Sequence, residues 1–437
     1  MVKRRKRWSR ILFPLLLIAV VILAIPLTGG AQEQVTIGYT MFGSPEGGHE
    51  WEAIEMVVEK FEQNYPNIKI DLDFGGWTGY KDRVLTQMAA GIPMDIVVVD
   101  AYDAQGFYEK GVFLNLEPYI ERDKFPLDLY IPEAINEKRG YTDGKLYGLE
   151  FDYGTGIWVC WWNKDIFKEA GLDPPTSDWT RDDFLEIVKK TTKVDKEGKI
   201  IQWGVVGVAN PFEAYWAPWL FSGGGSILND ERTKCLLDEP EAIETFQFLV
   251  DLAVKYEVEP SASAVEESGA GWSGYMFTNG KVALMFTWGS HGSHRQFIGD
   301  RFDWGALPVP KGEAGRISLI KGNSLSIAAS SKNPDACWEY LKWSHSPEMQ
   351  LLLAREGNMA TLKSVREDPE FIYFDEPPYD MSVESKQELR AFPFIPKWNE
   401  IAAVWRNKLV PVFTGEKSVT NGLSEIAVEI DRILAEK

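Results

Sequence analysis

The chain has 437 residues and a formal net charge of −19, so it is a poor partner for nucleic acid or for an anionic membrane surface. This length predicts about two domains. The three cysteines, Cys160, Cys235 and Cys337, lie far apart, each in or beside an apolar stretch. We therefore expect buried thiols and no disulfide framework, which leaves the hydrophobic core as the source of stability.

The N-terminus has the pattern of an export signal, here residues 1–31. Six basic residues precede an apolar run, Ile11 to Leu27, and small residues follow at Gly29-Gly30-Ala31. Because the run is nearly long enough to span a bilayer, an uncleaved membrane anchor is the alternative. Loss of this segment removes six basic and no acidic residues, so the net charge falls from −19 to −25. We expect the protein at the periplasmic or extracellular face of the cell membrane.

The first third of the chain predicts alternating strands and helices. Apolar runs at 35–39, 68–74 and 95–99 are typical of strands, and helical periodicity separates them. This alternation predicts an α/β fold with a mainly parallel sheet, in which ligands sit beyond the carboxyl ends of the strands. Those ends put residues 41–50, 75–77 and 100–103 on one rim.

The segment 143–183 combines a polar loop with a buried strand. A loop of Gly, acidic and aromatic residues at 151–156 precedes an apolar strand at 157–162, then a helix ending near Gly171. Thr180 and Asp183 have the spacing of a helix-capping pair. A polar loop held against a buried strand is a common setting for a small-molecule site.

The later chain is richer in predicted helix. Pro240, Asn333-Pro334 and Ser346-Pro347 each mark a helix start, and the last helix is predicted at 419–434. Apolar strands are predicted at 282–286 and 325–329.

Nine segments carry a resemblance to a known family. They are FEQNYPNIKID (61–71), AAGIPMDIVVVD (89–100), GVFLNLEPYI (111–120), DGKLYGL (143–149), WWNKDIFKEAGLDPPTSDWT (161–180), FSGGGSIL (221–228), FTNGKVALMFTWGS (277–290), LPVPKGEAGR (307–316) and SKNPDACWEYLKWSHSPE (331–348). In this order and spacing, they resemble extracellular solute-binding proteins of ABC transporters, in the sugar-binding group that includes maltose-binding proteins. The chain departs from that pattern at Trp161-Trp162, where aliphatic residues and Tyr are common, and at Glu150, where proline is usual. Its C-terminal third is hard to match.

The resemblance implies a two-lobed periplasmic-binding-protein fold with a ligand cleft and a hinge between the lobes. The N-terminal lobe would take residues 32–150 plus about 290–350, and the C-terminal lobe 151–289 plus about 351–437. It also implies a monomer that delivers its ligand to the permease subunits of the transporter.

A sugar cleft needs flat apolar faces for the pyranose and acids or amides for its hydroxyls. The aromatic candidates lie in predicted loops: Phe42, Trp77, Tyr153, Tyr215, Trp216, Trp272 and Trp288. Ordinary packing is the alternative for each, and Trp77, Trp272 and Trp288 are favoured because glycines flank them. The polar candidates are Glu46, Asp100, Asp103, Asp152 and Asn323, with a solvated loop as the alternative.

Other classes of function have weaker patterns. No residue shows the signature of a catalytic nucleophile or acid, although a carboxylate pair of a glycoside hydrolase depends on a separation that the sequence does not fix. Residues 269–274 fit GxGxxG, but they follow Glu266-Glu267 and not an apolar strand. The four histidines supply no full zinc ligand set.

We therefore expect no catalytic residue, no metal and no cofactor. The favoured function is a transport receptor for a carbohydrate, with an oligosaccharide as the expected ligand. A receptor for a non-sugar solute, such as a polyol, a phosphodiester or a peptide, and a ligand sensor are the alternatives.

Overall fold

The computed structural model describes residues 34–42, 49–76, 79–92, 94–269 and 273–436. The predicted export signal and three candidate site residues, Glu46, Trp77 and Trp272, lie outside these ranges. No helix within them combines the length and the apolar composition that crossing a membrane requires.

The described ranges contain strands and helices throughout. The strands are β1 (Val35–Phe42), β2 (Ile68–Gly75), β3 (Ile96–Val99), β4 (Leu149–Asn163), β5 (Lys193–Val194), β6 (Ile200–Val206), β7 (Val282–Trp288), β8 (Trp304–Leu307), β9 (Ile317–Ile327) and β10 (Glu388–Arg390). The helices of the first half are α1 (His49–Asn64), α2 (Tyr80–Ala89), α3 (Ala101–Glu109), α4 (Glu117–Asp123), α5 (Pro132–Asn136), α6 (Lys164–Glu169), α7 (Arg181–Thr191) and α8 (Glu213–Ser222). Those of the second half are α9 (Pro240–Val254), α10 (Ala262–Glu267), α11 (Ser273–Thr278), α12 (Gly292–Ile298), α13 (Pro334–Ser344), α14 (Pro347–Arg355), α15 (Lys363–Arg366), α16 (Pro369–Ile372), α17 (Trp398–Lys408), α18 (Val410–Phe413) and α19 (Val419–Ala435).

Most predicted elements are confirmed within one or two residues of their expected ends. Thr180 and Asp183 form the predicted capping pair, in which each side chain accepts a hydrogen bond from the other residue's backbone N–H. Two strands, β4 and β9, begin well before their predicted starts. The expected loop at 151–156 is part of β4, and β9 begins at Ile317, eight residues before the predicted start at Leu325.

The sheet is mixed, which corrects the expectation of a mainly parallel one. Its order is β2-β1-β3-β9-β4-β7-β6-β5, with β10 beside β9 and β8 beside β4. The predicted parallel pairing holds among β1, β2 and β3. Both β3 and β4 run antiparallel to β9, and β4 also runs antiparallel to β7. The local alternation of strand and helix did not predict the antiparallel pairing of β4 and β9, because the paired strands lie far apart in sequence.

The long strands β4 and β9 connect two separate cores. The first core holds buried residues between positions 37–149 and 325–371, and the second holds residues between 158–319 and 392–433, together with Ala101. Strand β4 contributes Leu149 to the first core and Trp158 to the second. Strand β9 contributes Leu325 to the first and Leu319 to the second. The chain is therefore an α/β protein with two lobes joined by these strands.

Packing divides the chain differently from the expected lobe boundaries. Ile298 and Trp304, expected in the first lobe, pack in a third cluster with Val159 and Met285, next to the second core. The cause is that β8 pairs with β4. Residues from 353 to 371, expected in the second lobe, belong to the first core.

The three cysteines are free and buried, as expected from their apolar surroundings. Burial raises the pKa of Cys235 and of Cys337 to about 12. These thiols are therefore protonated at neutral pH and serve as packing groups.

Candidate functional site

Two predicted polar residues meet where β3 ends beside β9. Asp100 follows β3 and caps α3, with its Oδ1 accepting the backbone N–H of Tyr102 at 2.9 Å. Asn323 lies on the neighbouring strand β9, and its Oδ1 accepts the N–H of Ala101 at 3.3 Å. The carboxyl end of a strand and a helix N-terminus thus place a carboxylate and an amide side by side.

A lysine that the sequence did not single out lies next to them. The Nζ of Lys321 is 3.7 Å from Asp100 Oδ2 and 3.4 Å from Asn323 Oδ1. Residues two apart in a strand share one face of the sheet, so Lys321 and Asn323 point the same way. The Lys321 side chain is only 11% exposed, which holds its charge close to these oxygens.

Five aromatic rings form a continuous chain whose two end rings, Trp288 and Tyr102, lie beside this polar group. Trp288, at the end of β7, has its ring centroid 4.8 Å from that of Trp158, which in turn is 5.3 Å from that of Tyr215. Phe212 follows at 6.3 Å from Tyr215, and Tyr102 at 5.4 Å from Phe212. The Lys321 Nζ lies 4.5 Å from the Tyr102 centroid and 5.9 Å from the Trp288 centroid. The rings and the polar groups therefore form one site.

The ring of Trp288 depends on a glycine in β4. A Cβ atom added at Gly156 would lie 2.5 Å from the ring atom Cε3 of Trp288, closer than two carbon atoms can approach. Trp161 donates a hydrogen bond from its indole Nε1 to the Trp288 carbonyl at 3.2 Å. Gly156 leaves room for the Trp288 ring, and the hydrogen bond from Trp161 holds the Trp288 backbone. Both Gly156 and Trp161 lie on β4.

An arginine from the C-terminal third completes the site. The Arg406 guanidinium carbon, on α17, lies 4.3 Å from the Phe212 centroid and 5.5 Å from the Tyr102 centroid. Arg406 pairs with the fully buried Glu213, with 2.9 Å between Arg406 Nε and Glu213 Oε2. The same carboxylate accepts the indole N–H of Trp405 at 3.0 Å. The guanidinium is therefore neutralised and held over the aromatic chain.

The hydroxyl of Tyr102 is enclosed, yet it makes no hydrogen bond with any part of the protein that the structure describes. Burial is the largest cause that raises the pKa of Tyr102 well above its usual value, so the hydroxyl keeps its proton. Enclosed polar atoms nearly always have a partner. A ligand hydroxyl could serve as that partner here. We call Asp100, Tyr102, Phe212, Tyr215, Trp288, Lys321, Asn323 and Arg406 the interlobe site, since α3 belongs to the first lobe and α8 and α17 to the second.

Asp103, another predicted ligand-binding residue, connects the lobes. Its Oδ1 is 2.5 Å from the Nζ of Lys81 and 2.5 Å from the Nδ2 of Asn399 on α17. Asn399 Nδ2 also donates to the Tyr102 carbonyl at 3.1 Å. The carboxylate of Asp103 is therefore engaged with protein groups of both lobes.

Two predicted aromatic residues, Trp216 and Phe42, are packed in the core. Trp216 is fully buried, and its ring packs against Phe246 and Trp405. Phe42 is nearly as buried and packs edge-on against Tyr80 at 5.2 Å. Neither ring has an open face on which a sugar could stack. Asp152 and Tyr153 lie in β4, whose backbone is described at these positions while their side chains are not.

Four residues of the site were missed by the sequence interpretation: Tyr102, Phe212, Lys321 and Arg406. Two of them had a usable signal. Tyr102 lies between Asp100 and Asp103, and Lys321 is two residues before Asn323 in the same strand. Phe212 and Arg406 join the site only through packing across the lobes, which no local pattern indicates.

A separate cavity of about 840 Å³ lies within the second lobe, lined by residues of β5, β6, α10 and α11, such as Trp203 and Met276, and by Lys281 before β7. None of its lining residues belongs to the interlobe site. It borders a single lobe, so closure of the lobes could not enclose a ligand there. The interlobe site is therefore the stronger candidate.

Comparison with known proteins bears on the family and the fold of the chain. A family model for bacterial extracellular solute-binding proteins matches residues 49–351, more than half of the chain. The solved structure of an ABC substrate-binding protein from Listeria monocytogenes in complex with cycloalternan is 22% identical, with a TM-score of 0.79 over 93% of this chain and 100% of that chain. The maltotriose-binding protein of Pyrococcus abyssi is 26% identical over 376 residues, 82% of this chain and 73% of that relative. The arabinooligosaccharide-binding protein of Bacillus subtilis is 24% identical over 337 residues, 75% of this chain and 72% of that relative.

Proposed function

The chain belongs to the family of bacterial extracellular solute-binding proteins, and we propose that it binds an oligosaccharide at the interlobe site and delivers it to the permease of an ABC importer. The observation that carries this proposal is the aromatic chain from Trp288 to Tyr102 around Lys321, Asp100 and Asn323. Aromatic faces would stack on the C–H side of a pyranose, while the polar groups and the Tyr102 hydroxyl would bond its hydroxyls.

Contacts between the lobes support their closure around a ligand. Asp103 and Asn399 already connect α3 with α17, and the ring of Tyr102 from the first lobe packs against the second core. A ligand that touches both lobes favours the closed state by its differential affinity. We propose a first lobe of residues 34–150 plus about 322–372, and a second of about 156–320 plus 374–436.

The names of two relatives support a carbohydrate as the ligand. One relative is named for maltotriose and another for arabinooligosaccharides, both of which are oligosaccharides. A non-sugar solute, such as a polyol, a phosphodiester or a peptide, remains the second candidate.

Family membership implies a place outside the cytoplasmic membrane. We propose that residues 1–31 direct export and are then removed or retained as an anchor. The protein would act there as a monomer that binds its ligand without turnover.

A thermal-shift screen tests this function. Mono- and oligosaccharides, polyols, phosphodiesters and short peptides would be added singly to the exported part of the chain. A ligand that binds the folded state raises the melting temperature. Stabilisation by an oligosaccharide without product formation supports the proposal. Accumulation of a hydrolysis product would instead identify an enzyme.

A further inference from the structure

A buried ionic cluster lies directly behind the interlobe site. Gly322 stands between Lys321 and Asn323 in β9, so a side chain at this position would face the opposite side of the sheet. A Cβ atom added at Gly322 would lie 1.9 Å from Glu150 Oε1 on β4. Glycine at this position therefore makes room for the Glu150 carboxylate behind the two ligand-facing residues.

Side chains of residues 137 and 138, which follow α5, hold the backbone of Gly322. Lys138 Nζ donates to the Gly322 carbonyl at 2.7 Å, and the Gly322 N–H donates to Glu137 Oε2 at 3.0 Å. Lys138 Nζ also lies 3.2 Å from Glu150 Oε2 and 3.4 Å from Glu137 Oε2. All three charged side chains are at most 2% exposed. We call Glu137, Lys138 and Glu150 the hinge cluster.

The cluster fixes both crossing strands at the point where their pairing is irregular. Glu150 pairs with Ser324, but the next registered pair is Thr155 with Gly322. Between these two pairs β4 advances by five residues while β9 advances by only two, so β4 bulges between the lobes. Glu150 and Gly322 flank this bulge, and Lys138 contacts both of them.

The cluster contains two carboxylates and one ammonium group, so full ionisation would leave a buried negative charge. The pKa of Glu137 is raised to about 7 overall: burial is the largest cause, Lys138 lowers the pKa, and the nearby Glu150 carboxylate raises it. Other titratable groups that face the cluster are Lys321 on β9, Tyr102 and Tyr108 on α3, and His345 after α13. Burial lowers the pKa of His345 to about 4, so this imidazole is neutral at physiological pH and adds no charge.

We propose that the hinge cluster positions β9 for ligand binding and couples closure of the lobes to the uptake of one proton. In this conformation the lobes touch and the cluster is buried, which favours the protonated carboxyl. Opening at the bulge would expose the cluster to water and release the proton. Closure, and with it ligand affinity, should therefore strengthen as the pH falls. This inference rests on the proposed function, because it requires that closure accompany binding.

Calorimetric titration with the best ligand of the sugar panel, at about pH 6 and about pH 8, tests the coupling. Wild type should bind about three- to tenfold more tightly at the lower pH, since one carboxyl titrates between the two values. Titrations in two buffers with different ionisation enthalpies should show uptake of a proton. In E137Q, which keeps the shape and an acceptor for the Gly322 N–H, both effects should vanish.

The matched control is E259Q. Glu259 is also a buried carboxyl with a pKa raised to about 7 by burial, and it accepts hydrogen bonds from Val208 and Ala209 away from both crossing strands. This variant should retain the difference in affinity between the two pH values. Retention of that difference in E137Q, or its absence in wild type, would overturn the hinge proposal while leaving carbohydrate binding intact.

Small-angle scattering of the free protein tests the hinge without any ligand. The radius of gyration of wild type should be smaller at about pH 6 than at about pH 8, and that of E137Q should be the same at both. An unchanged radius in wild type would contradict the coupling. If instead no sugar binds while the radius responds to pH, the proposed ligand class fails and the hinge cluster stands.

Discussion

Lys321 Nζ lies 4.5 Å from the centre of the Tyr102 ring, although the two residues belong to segments more than two hundred positions apart. This pair places a partly buried cation on an aromatic face beside the carboxylate of Asp100. A cation in this position is fixed by the ring and can donate hydrogen bonds toward a ligand. The pair therefore links the polar and the aromatic parts of the interlobe site.

Substitution of Tyr102 by Phe should weaken ligand binding without destabilising the fold. The hydroxyl has no partner among the described residues, so its loss costs the free protein nothing. Loss of one hydrogen bond to the ligand should reduce affinity about two- to tenfold, or about 0.5 to 1.5 kcal/mol. Calorimetric titration and thermal melts measure the two quantities.

Tyr108→Phe is the control on the same helix. Its hydroxyl is buried and hydrogen-bonded to Ser324 Oγ at 2.9 Å. This variant should lose about 1 kcal/mol of unfolding free energy and keep most of its affinity. A destabilised Tyr102→Phe with normal affinity would assign the Tyr102 hydroxyl to the core.

Truncation of Trp288 should reduce mainly ligand affinity, whereas truncation of Trp216 should reduce mainly the stability of the fold. Trp288→Ala should cost about 1 to 3 kcal/mol of binding free energy, because its partly exposed ring would stack on the ligand. Trp216→Ala should cost about 3 to 5 kcal/mol of unfolding free energy through the cavity that it leaves. Equal affinities of wild type and Trp288→Ala would exclude stacking on this ring. Trp272→Ala is expected to behave like Trp288→Ala on the sequence pattern alone.

Asp103 and Asn399 should act on affinity as one unit. Since the carboxylate contacts Asn399 across the lobes, Asp103→Ala and Asn399→Ala should each weaken binding moderately. The double variant should be little worse than either single variant, because both remove the same contact. A double-mutant cycle on the ligand dissociation constant measures this coupling. Additive losses, with the larger one at Asp103, would show that Asp103 touches the ligand directly.

Two buried histidines should make the fold sensitive to acid. Burial lowers the pKa of His294, which lies between Trp161 and Trp304, and of His345 to about 4. The unfolded chain binds more protons than the folded one between that value and the usual pKa near 6.5. Their stabilising contribution is therefore complete above about pH 6.5 and is lost as the pH falls toward 4.

Denaturant unfolding over this pH range measures that loss. His294→Leu removes one titrating group, so the free energy of unfolding of the variant relative to that of wild type should rise as the pH falls from about 6.5 to about 4. An identical pH dependence of the variant and wild type would show that His294 does not titrate in this window.

Candidate site residues could be predicted from the sequence when their position depends on local structure. Asp100 follows a strand and caps a helix, and Asn323 and Trp288 lie within two residues of the strands predicted at 325–329 and 282–286, which extend to include them. Tyr215 and Trp216 are neighbours on α8, where one ring joins the site and the other is fully buried. Nearly every residue of α8 is buried, so its sequence shows no periodicity from which to assign the two faces.

Residues that depend on long-range packing could not be predicted in this way. Arg406 reaches Tyr102 only because α17 packs against α3, and no motif in the C-terminal third marks that contact. The bulge that places Glu150 behind Gly322 depends on the pairing of β4 with β9. The pairing of two strands that are distant in sequence depends on the tertiary fold, even though the apolar pattern indicates each strand separately.

Calorimetric titration of wild type with a panel of mono- and oligosaccharides tests the central claim most directly. We expect one oligosaccharide to bind at a single site without product formation, and Tyr102→Phe and Trp288→Ala to weaken that binding while remaining folded. Binding of a peptide or phosphodiester with no response to any sugar, or sugar binding unaffected by both substitutions, would contradict it.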